Sequence, residues 1–386
     1  LKIKNCKVVD HMQLSETVKI YPTEYQRILI NQTMAEYIDT VNRLVSSAVS
    51  GHSLARITTA SINAVLPSAL KNQCIRDARS IVKKHFKHCH KAVLKNRTFA
   101  KRGTAIRVKA PKLPVLKKPC CYINNQNFQI KDNCLEFPVM VDGRSRRIPV
   151  PVKLTDRQKA IFSGAKFGAL RIVMKNHTLV AQVVYEVLEP KMKADGNVMG
   201  IDLGIKCPAV SYCSDGSVKF YGNGRKNKYM RRHYAYLRRK LQVSKKMKAV
   251  KFINDKEQRI MRDIDHKLSH DIIETAVTHN VRTIKLEQLS NIRSTTRKSR
   301  KNNHSLHTWS FYRLAQFIEY KARLAGITVE YVDPAYTSQT CPVCGSVHHA
   351  EDRDYACRCG FHIHRDLLGA MNICNSTEFA GNRQTA

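Results

Sequence analysis

The sequence predicts an α+β multidomain protein, on three observations. Helical periodicity fills the first quarter of the chain, short strand-like runs with turn residues take over near Pro111, and from Asn197 strands alternate with long helices. A tight group of four cysteines is set into this last part. The length of 386 residues suits about two to three domains at ~150 residues each, and 43% hydrophobic residues is enough for packed cores.

The first element is a strand: ETVKIY, from Glu16 to Tyr21, alternates in polarity, and Pro22-Thr23-Glu24 then reads as a helix start. Ile30, Met34, Tyr37, Val41, Leu44, Val45 and Ala48 recur at spacings of three and four, one face of an amphipathic helix, and helical pattern continues to about Lys95. The runs CYINNQNFQI, CLEFPVMV, RIPVPVKL and ALRIVMKN/HTLVAQVVYEVL follow, with turns at Asp142-Gly143 and near Asn176. Strands this short and close suggest a small barrel or sandwich. The early strand has no partner nearby in sequence, so it is expected to join that barrel with the helices inserted between.

VMGIDLG is then a strand ending in an acid, and AVSYCSDGSVKFYG a hairpin turning at Asp215-Gly216. A long helical tract follows, to Asn254, and then Ile264, Leu268, Ile272, Ile273, Ala276 and Val277 mark one face of a helix. VRTIKLEQL is a second strand ending in an acid, and SNIRSTTRKSRKNN reads as a basic loop. A helix from Phe311 to Leu324, a stop at Gly326 and the strand ITVEYVD lead into the cysteines.

Charge narrows the partners. There are 67 Lys+Arg against 30 Asp+Glu, a net +37, which repels itself in a compact state unless a polyanion is near. Nucleic acid is the expected partner; membrane-surface binding and a ribosomal role share the same composition. Two tracts are wholly one-signed: Ala78–Lys131 holds fifteen Lys/Arg and no acid, and Ser217–Asn254 holds thirteen and none. A solvated face usually carries both signs, so these read as polyphosphate contacts. No run approaches the ~18 to 20 apolar residues of a bilayer span, and LKIKNCKVVD lacks the apolar core of a secretory signal. The expectation is a soluble cytoplasmic protein, nucleoid-associated in a prokaryote, with no membrane partner.

Two kinds of side chain carry chemistry. Asp202 and Glu287 each end an otherwise apolar strand, and Asp366 lies in HRDLLGAMNI. A carboxylate there needs a nearby cation. Three such acids on adjacent elements can hold the Mg²⁺ pair that hydrolyses phosphodiesters, while an ion pair to one of the many bases explains a single strand acid equally well. Cys341-Pro-Val-Cys344 and Cys357-Arg-Cys359-Gly360 are two knuckles for a structural Zn²⁺, with one spacer residue in the second where two are commoner. His348, His349, His362 and His364 flank them, and any could stand in for a cysteine. In a reducing compartment the nine other cysteines of the thirteen read as small buried hydrophobes.

GIDLG at 200–204, HKLSHDIIETAVTHNVRTIKLEQLSNIR at 266–293, WSFYRLAQFIEYKARLAGITVEYVDPAYTSQTCPVCG at 309–345 and DYACRCGFHIHRDLLGAMNI at 354–373 together resemble the TnpB family of transposon-encoded proteins. Those proteins are RNA-guided DNA endonucleases with a RuvC-type, RNase H-like nuclease domain, related to compact type V CRISPR effectors. In the N-terminal half the resemblance rests on element order alone. It implies a wedge β-barrel (1–22 and 111–195) with an inserted helical recognition domain (23–110), then a RuvC-like nuclease (196–340 and 361–386) with an inserted zinc-ribbon module (341–360) that binds target nucleic acid.

Carried over by residue, the resemblance makes Asp202, Glu287 and Asp366 catalytic ligands of Mg²⁺ or Mn²⁺, with hydrolysis leaving a 5′-phosphate and a 3′-hydroxyl. Leu368-Gly369 stands where the family often has Asn-Ala, and His364 where an acid is common. The implied partners are a guide RNA and double-stranded target DNA, held through phosphates while base pairing supplies sequence. Candidate contacts are Arg231, Arg232, Arg238 and Arg239, interleaved with tyrosines, and Lys83, Lys84 and Lys87. A guided DNA-binding repressor without cutting activity and a transposition accessory protein or end-joining transposase are the alternatives.

Overall fold

The structure is a computed structural model that describes residues 11–175, 178–289, 310–350 and 352–377. The turn expected near Asn176 and the basic loop Ser290–Asn303 lie outside the described residues. The chain divides into two units, Leu1–Leu188 and Glu189–Ala386.

The first unit begins with β1 (His11–Lys19). Two helices follow it: α1 (Glu24–Val49) and α2 (Ser68–Lys101). Thr23 closes the start of α1 with a capping box: its hydroxyl accepts from the Gln26 N–H at 3.3 Å while the Gln26 side chain accepts from the Thr23 N–H at 3.1 Å. Ile30, Met34, Tyr37, Val41, Val45 and Ala48 are buried, as their spacing requires. The α1 stripe meets Leu70, Cys74 and Ala78 of α2, and the Tyr37 hydroxyl donates to Asp77 at 2.6 Å.

Strands complete that core. They are β2 (Cys120–Ile123), β3 (Gln129–Lys131), β4 (Cys134–Val141) and β5 (Arg144–Pro151), then, after the short helix α3 (Asp156–Ser163), β6 (Lys166–Lys175) and β7 (Thr178–Leu188). One antiparallel sheet has the order β1-β7-β6-β2 and a second the order β3-β4-β5. The early strand does join the later ones: β1 pairs with β7 from His11↔Leu188 to Lys19↔Val180. It starts earlier than the alternation suggests because the long β7 offers partners as far as His11. It ends earlier because the chain changes sheets, with Ile20 bridging Val152 and the Tyr21 N–H donating to the Pro151 carbonyl at 2.8 Å.

The second unit is built on a five-stranded sheet, order β10-β9-β8-β11-β12. Its strands are β8 (Asn197–Asp202), β9 (Ala209–Cys213), β10 (Val218–Tyr221), β11 (Val281–Glu287) and β12 (Thr328–Val332). The first three form an antiparallel meander; β11 and β12 run parallel to β8. The basic tract takes in all of α4 (Gly224–Val243) and the start of α5 (Met247–Thr278), which carries the apolar face that follows it. Lys245 between them adopts φ +54°, a left-handed conformation that stops a helix. Leu268, Ile272, Ile273 and Ala276 of α5 and Leu314, Ile318 and Ala322 of α6 (Phe311–Leu324) cover one face of the sheet. Val277, expected on that face, is half exposed.

The opposite face belongs to α7 (Arg365–Asn375), which packs on β8, β9 and β11. Because strand residues alternate faces, Met199 and Ile201 point to α5 and α6, and Gly200 and Asp202 point to α7. A Cβ on Gly200 would lie 2.2 Å from the Ala370 carbonyl oxygen and 2.3 Å from the Cys374 nitrogen, so the helix can rest on β8 only where that strand has no side chain. The hairpin β13 (Asp354–Ala356) and β14 (His362–His364) leads directly into α7.

Candidate functional site

The register brings the two strand acids together. Ile201 pairs with Leu286 in the parallel β8/β11 ladder, so Asp202 and Glu287 end neighbouring strands, side by side on the α7 face. Asp366 enters from the second residue of α7, whose start is capped by His364: its Nδ1 accepts from the Asp366 N–H at 3.2 Å. At the other end of α7, Lys285 of β11 donates to the Cys374 and Ser376 carbonyls at 3.0 and 2.8 Å. The strand bearing Glu287 thus grips the helix bearing Asp366.

The electrostatics record this convergence. Burial first, then the carboxylates of Glu287 and Asp366, push the Asp202 carboxyl well above the ordinary range, while Arg353 and Arg365 pull it down. Burial also raises Glu287, opposed by the Thr337 hydroxyl that donates to it. Thr337 is held in turn by Asn372 of α7, whose Nδ2 donates to the Thr337 and Thr340 carbonyls at 2.7 and 2.8 Å. Arg353 forms an ion pair with the buried Asp366. A site with two raised acids and one acid held by a guanidinium is short of positive charge, as a cation-binding centre would be.

The four cysteines also assemble. Among the described residues, their sulfurs form the one group of three or more metal-ligating side chains whose ligand atoms all lie within 4.8 Å of one another; the three carboxylates converge less tightly. Cys341 and Cys359 are 3.6 Å apart and Cys344 and Cys357 3.4 Å. A tetrahedron of ~2.3 Å metal–sulfur bonds has edges of about 3.8 Å, so the set fits a Zn²⁺ ion. The backbone N–H of Cys359 and the Ser346 hydroxyl hold the Cys357 thiol below its usual range, toward the thiolate a metal needs, while contact with the Cys357 sulfur pushes the Cys359 thiol up to about 12, so the fit to a metal rests on the sulfur geometry. The flanking histidines are not in this group.

The expected nucleic-acid contacts separate into two kinds. Lys83, Lys84 and Lys87 on α2 and Arg232 and Arg239 on α4 are exposed. Arg231 and Arg238 are half-buried and face Glu257 of α5, the latter at 2.7 Å. That acid lies just beyond the acid-free tract, which is why the tract looked uniformly available. Arg353 and Thr337 carry no signal in the sequence, and Asn372 enters there only as part of the motif that places Asp366, with no contact assigned to it.

The fold and these two sites define an α+β multidomain protein with the architecture of compact type V effectors. A solved Cas12f1–sgRNA–target DNA complex has a TM-score of 0.57 at 13% identity, covering 95% of this chain and 99% of that one. The mini-RNA-guided endonuclease CRISPR-Cas phi3 has 0.52 at 11%, covering 95% and 92%. Residues 182–293 match the family model described as a probable transposase, and residues 311–373 the Cas12f1-like TNB domain. A TnpB-like protein of Methanocaldococcus jannaschii is 30% identical over 249 residues, 61% of this chain and 88% of that relative. The chain belongs to the TnpB family.

The CRISPR-associated endodeoxyribonuclease Cas12f1 of Sulfoacidibacillus thermotolerans is 34% identical over 133 residues, 33% of this chain and 30% of that protein. Cas12f2 of a Micrarchaeota archaeon is 25% identical over 289 residues, 65% and 53%. The match thus spans about a third to a half of the length of these two relatives.

Proposed function

We propose that this protein is an RNA-guided, divalent-metal-dependent DNA endonuclease of RuvC type. The observation that carries this reading is the convergence of Asp202, Glu287 and Asp366 on the α7 face of the sheet, with the charge coupling described above. An all-oxygen donor set suits Mg²⁺ or Mn²⁺. Bound there, such ions would polarise the scissile phosphate and lower the pKa of the attacking water. The protein's own part is to hold the acids in place. Thr337 orients Glu287, His364 fixes the start of α7 behind Asp366, and Arg353 supplies a positive group beside Asp366 that suits the charge developing on a phosphate oxygen.

In this reading residues 1–22 and 111–195 act as the wedge, 23–110 as the recognition helices and 196–340 with 361–386 as the nuclease. Cys341, Cys344, Cys357 and Cys359 hold a structural Zn²⁺ that shapes residues 341–360. The exposed bases of α2 and α4 contact guide RNA and target DNA. A solved structure of the same fold, described as a Cas12f1–sgRNA–target DNA complex, supports that choice of partners. Among the described residues no helix is long and apolar enough to cross a membrane.

The test is a plasmid carrying a site matched to the RNA that co-purifies with the protein. Cutting in Mg²⁺ or Mn²⁺ is expected, and Asp202→Ala should abolish it while sparing binding. Intact binding with no cutting in either metal refutes the nuclease and leaves a guided repressor. Strand-transfer products that need no RNA mark a transposase.

A further inference from the structure

Helix α4 has two faces of opposite character. On an ideal helix of 3.6 residues per turn, Arg225, Tyr229, Arg232, His233, Tyr236 and Arg239 fall within an arc of about 120°. All six are exposed, Tyr229 by 64% and Tyr236 by 66%. Arg231 and Arg238 lie on the far side, where they share the single carboxylate of Glu257. The outward arc therefore keeps its charge. Two exposed tyrosines on a helix gain nothing from the core, yet here they alternate with cations, and Tyr229 already stacks with His233 at 6.0 Å and 23°.

The place of this arc matters as much as its composition. The N-terminus of α4 abuts the loop that follows Asp202: the Gly224 N–H donates to the Lys206 carbonyl at 3.0 Å, and a Cβ on Gly224 would lie 2.1 Å from the Ile205 oxygen. Phe220, just before the helix, meets His364 edge-on at 5.2 Å. The ladder thus starts beside the carboxylate centre and leads away from it for about 20 Å at 1.5 Å per residue. A duplex hides its bases and offers such rings nothing. An unpaired strand offers faces to stack and phosphates to pair.

From this the geometry points to the outward arc of α4 as a track for single-stranded DNA, the strand that enters the cutting centre. Bases stack on Tyr229, His233 and Tyr236, and phosphates pair with Arg225, Arg232 and Arg239. The inference rests on the nuclease reading for its choice of DNA over RNA, and its test does not depend on cutting.

Full-length protein silenced by Asp202→Ala is titrated with a ~15-nucleotide oligo(dT) carrying one 2-aminopurine, with the matching duplex, and with oligo(U). Tyr229→Ala with Tyr236→Ala should weaken oligo(dT) binding by about tenfold or more and abolish the quenching, at one to three kcal/mol of stacking per base. The double Phe variant should retain both, and duplex binding should be unchanged. Arg232→Gln with Arg239→Gln should reduce the salt slope of oligo(dT) binding by about 1.4. Unchanged oligo(dT) binding in the Ala pair overturns the track, as does failure of the Phe pair to rescue. A larger loss for oligo(U) than for oligo(dT) overturns the choice of DNA. Should the unsilenced protein never cut while stacking persists, the nuclease reading falls and the track stands.

Discussion

Arg353 is one base among 67, yet its partner sets it apart. Removing a positive group aimed at developing charge typically costs about a hundredfold in rate. Arg353→Gln should therefore slow cutting by about that factor with guided binding unchanged, and Arg353→Lys should recover part. Equal rates for all three proteins in single-turnover assays would falsify its role. Thr337→Val keeps the shape but removes the hydroxyl that donates to Glu287. The variant should need a several-fold higher Mg²⁺ concentration for half-maximal rate, read from a metal titration of cleavage. At this scale the sequence was legible where a residue broke a pattern. Asp202 and Glu287 stand out as acids in apolar strands, and four cysteines stand out by spacing. Arg353 and Thr337 break no pattern, because a base in a basic chain and a hydroxyl in a loop are ordinary, and only contact reveals them. The pairing of Arg231 and Arg238 is invisible in sequence because their counter-charge, Glu257, sits in the next helix.

Among elements, the β9–β10 hairpin carries a pH signature. The Asp215 carboxyl is held well below its usual range, first by the Ser217 backbone N–H and also by the Ser217 and His279 side chains. Its folded value lies below the unfolded one, so its stabilisation is complete above the ordinary carboxylate range and fades as pH falls toward the folded value. Asp215→Asn should lower the melting temperature most near neutral pH, and the gap to the parent should shrink on acidification. A gap that stays constant between pH 7 and pH 3 sinks this account. Element identity was readable wherever periodicity was strong, as in α1 and in the paired strands β8 and β11. Element boundaries were not. The break between α4 and α5 depends on one left-handed lysine, and the end of β1 depends on a change of sheet partner that only tertiary pairing decides.

Over the whole molecule the cysteine module and the carboxylate centre are mechanically joined. Arg353 lies between the two cysteine pairs, and Thr337 and Thr340 shortly precede the first, while Asn372 of α7 ties that loop to the face bearing Asp202 and Glu287. Stripping Zn²⁺ with a chelator should therefore abolish cutting even when Mg²⁺ is abundant. It should leave oligo(dT) binding on α4 intact, with metal content followed by elemental analysis. Cutting that survives complete zinc loss would separate the two sites. The net charge of +37 adds a second expectation. Affinity for RNA should fall about a thousandfold or more between 50 and 200 mM salt if six to ten phosphates are contacted.

Gly200 gives the molecule a clock as well as a fit. The seam between β8 and α7 closes only on contact, and its two sides are far apart in the order of synthesis. A nascent chain displays Asp202, then Glu287, and most of its basic helical surface, long before Asp366 emerges. During translation it can meet polyanions before its carboxylate centre is complete, and the last carboxylate arrives only when α7 settles against the bare backbone at position 200.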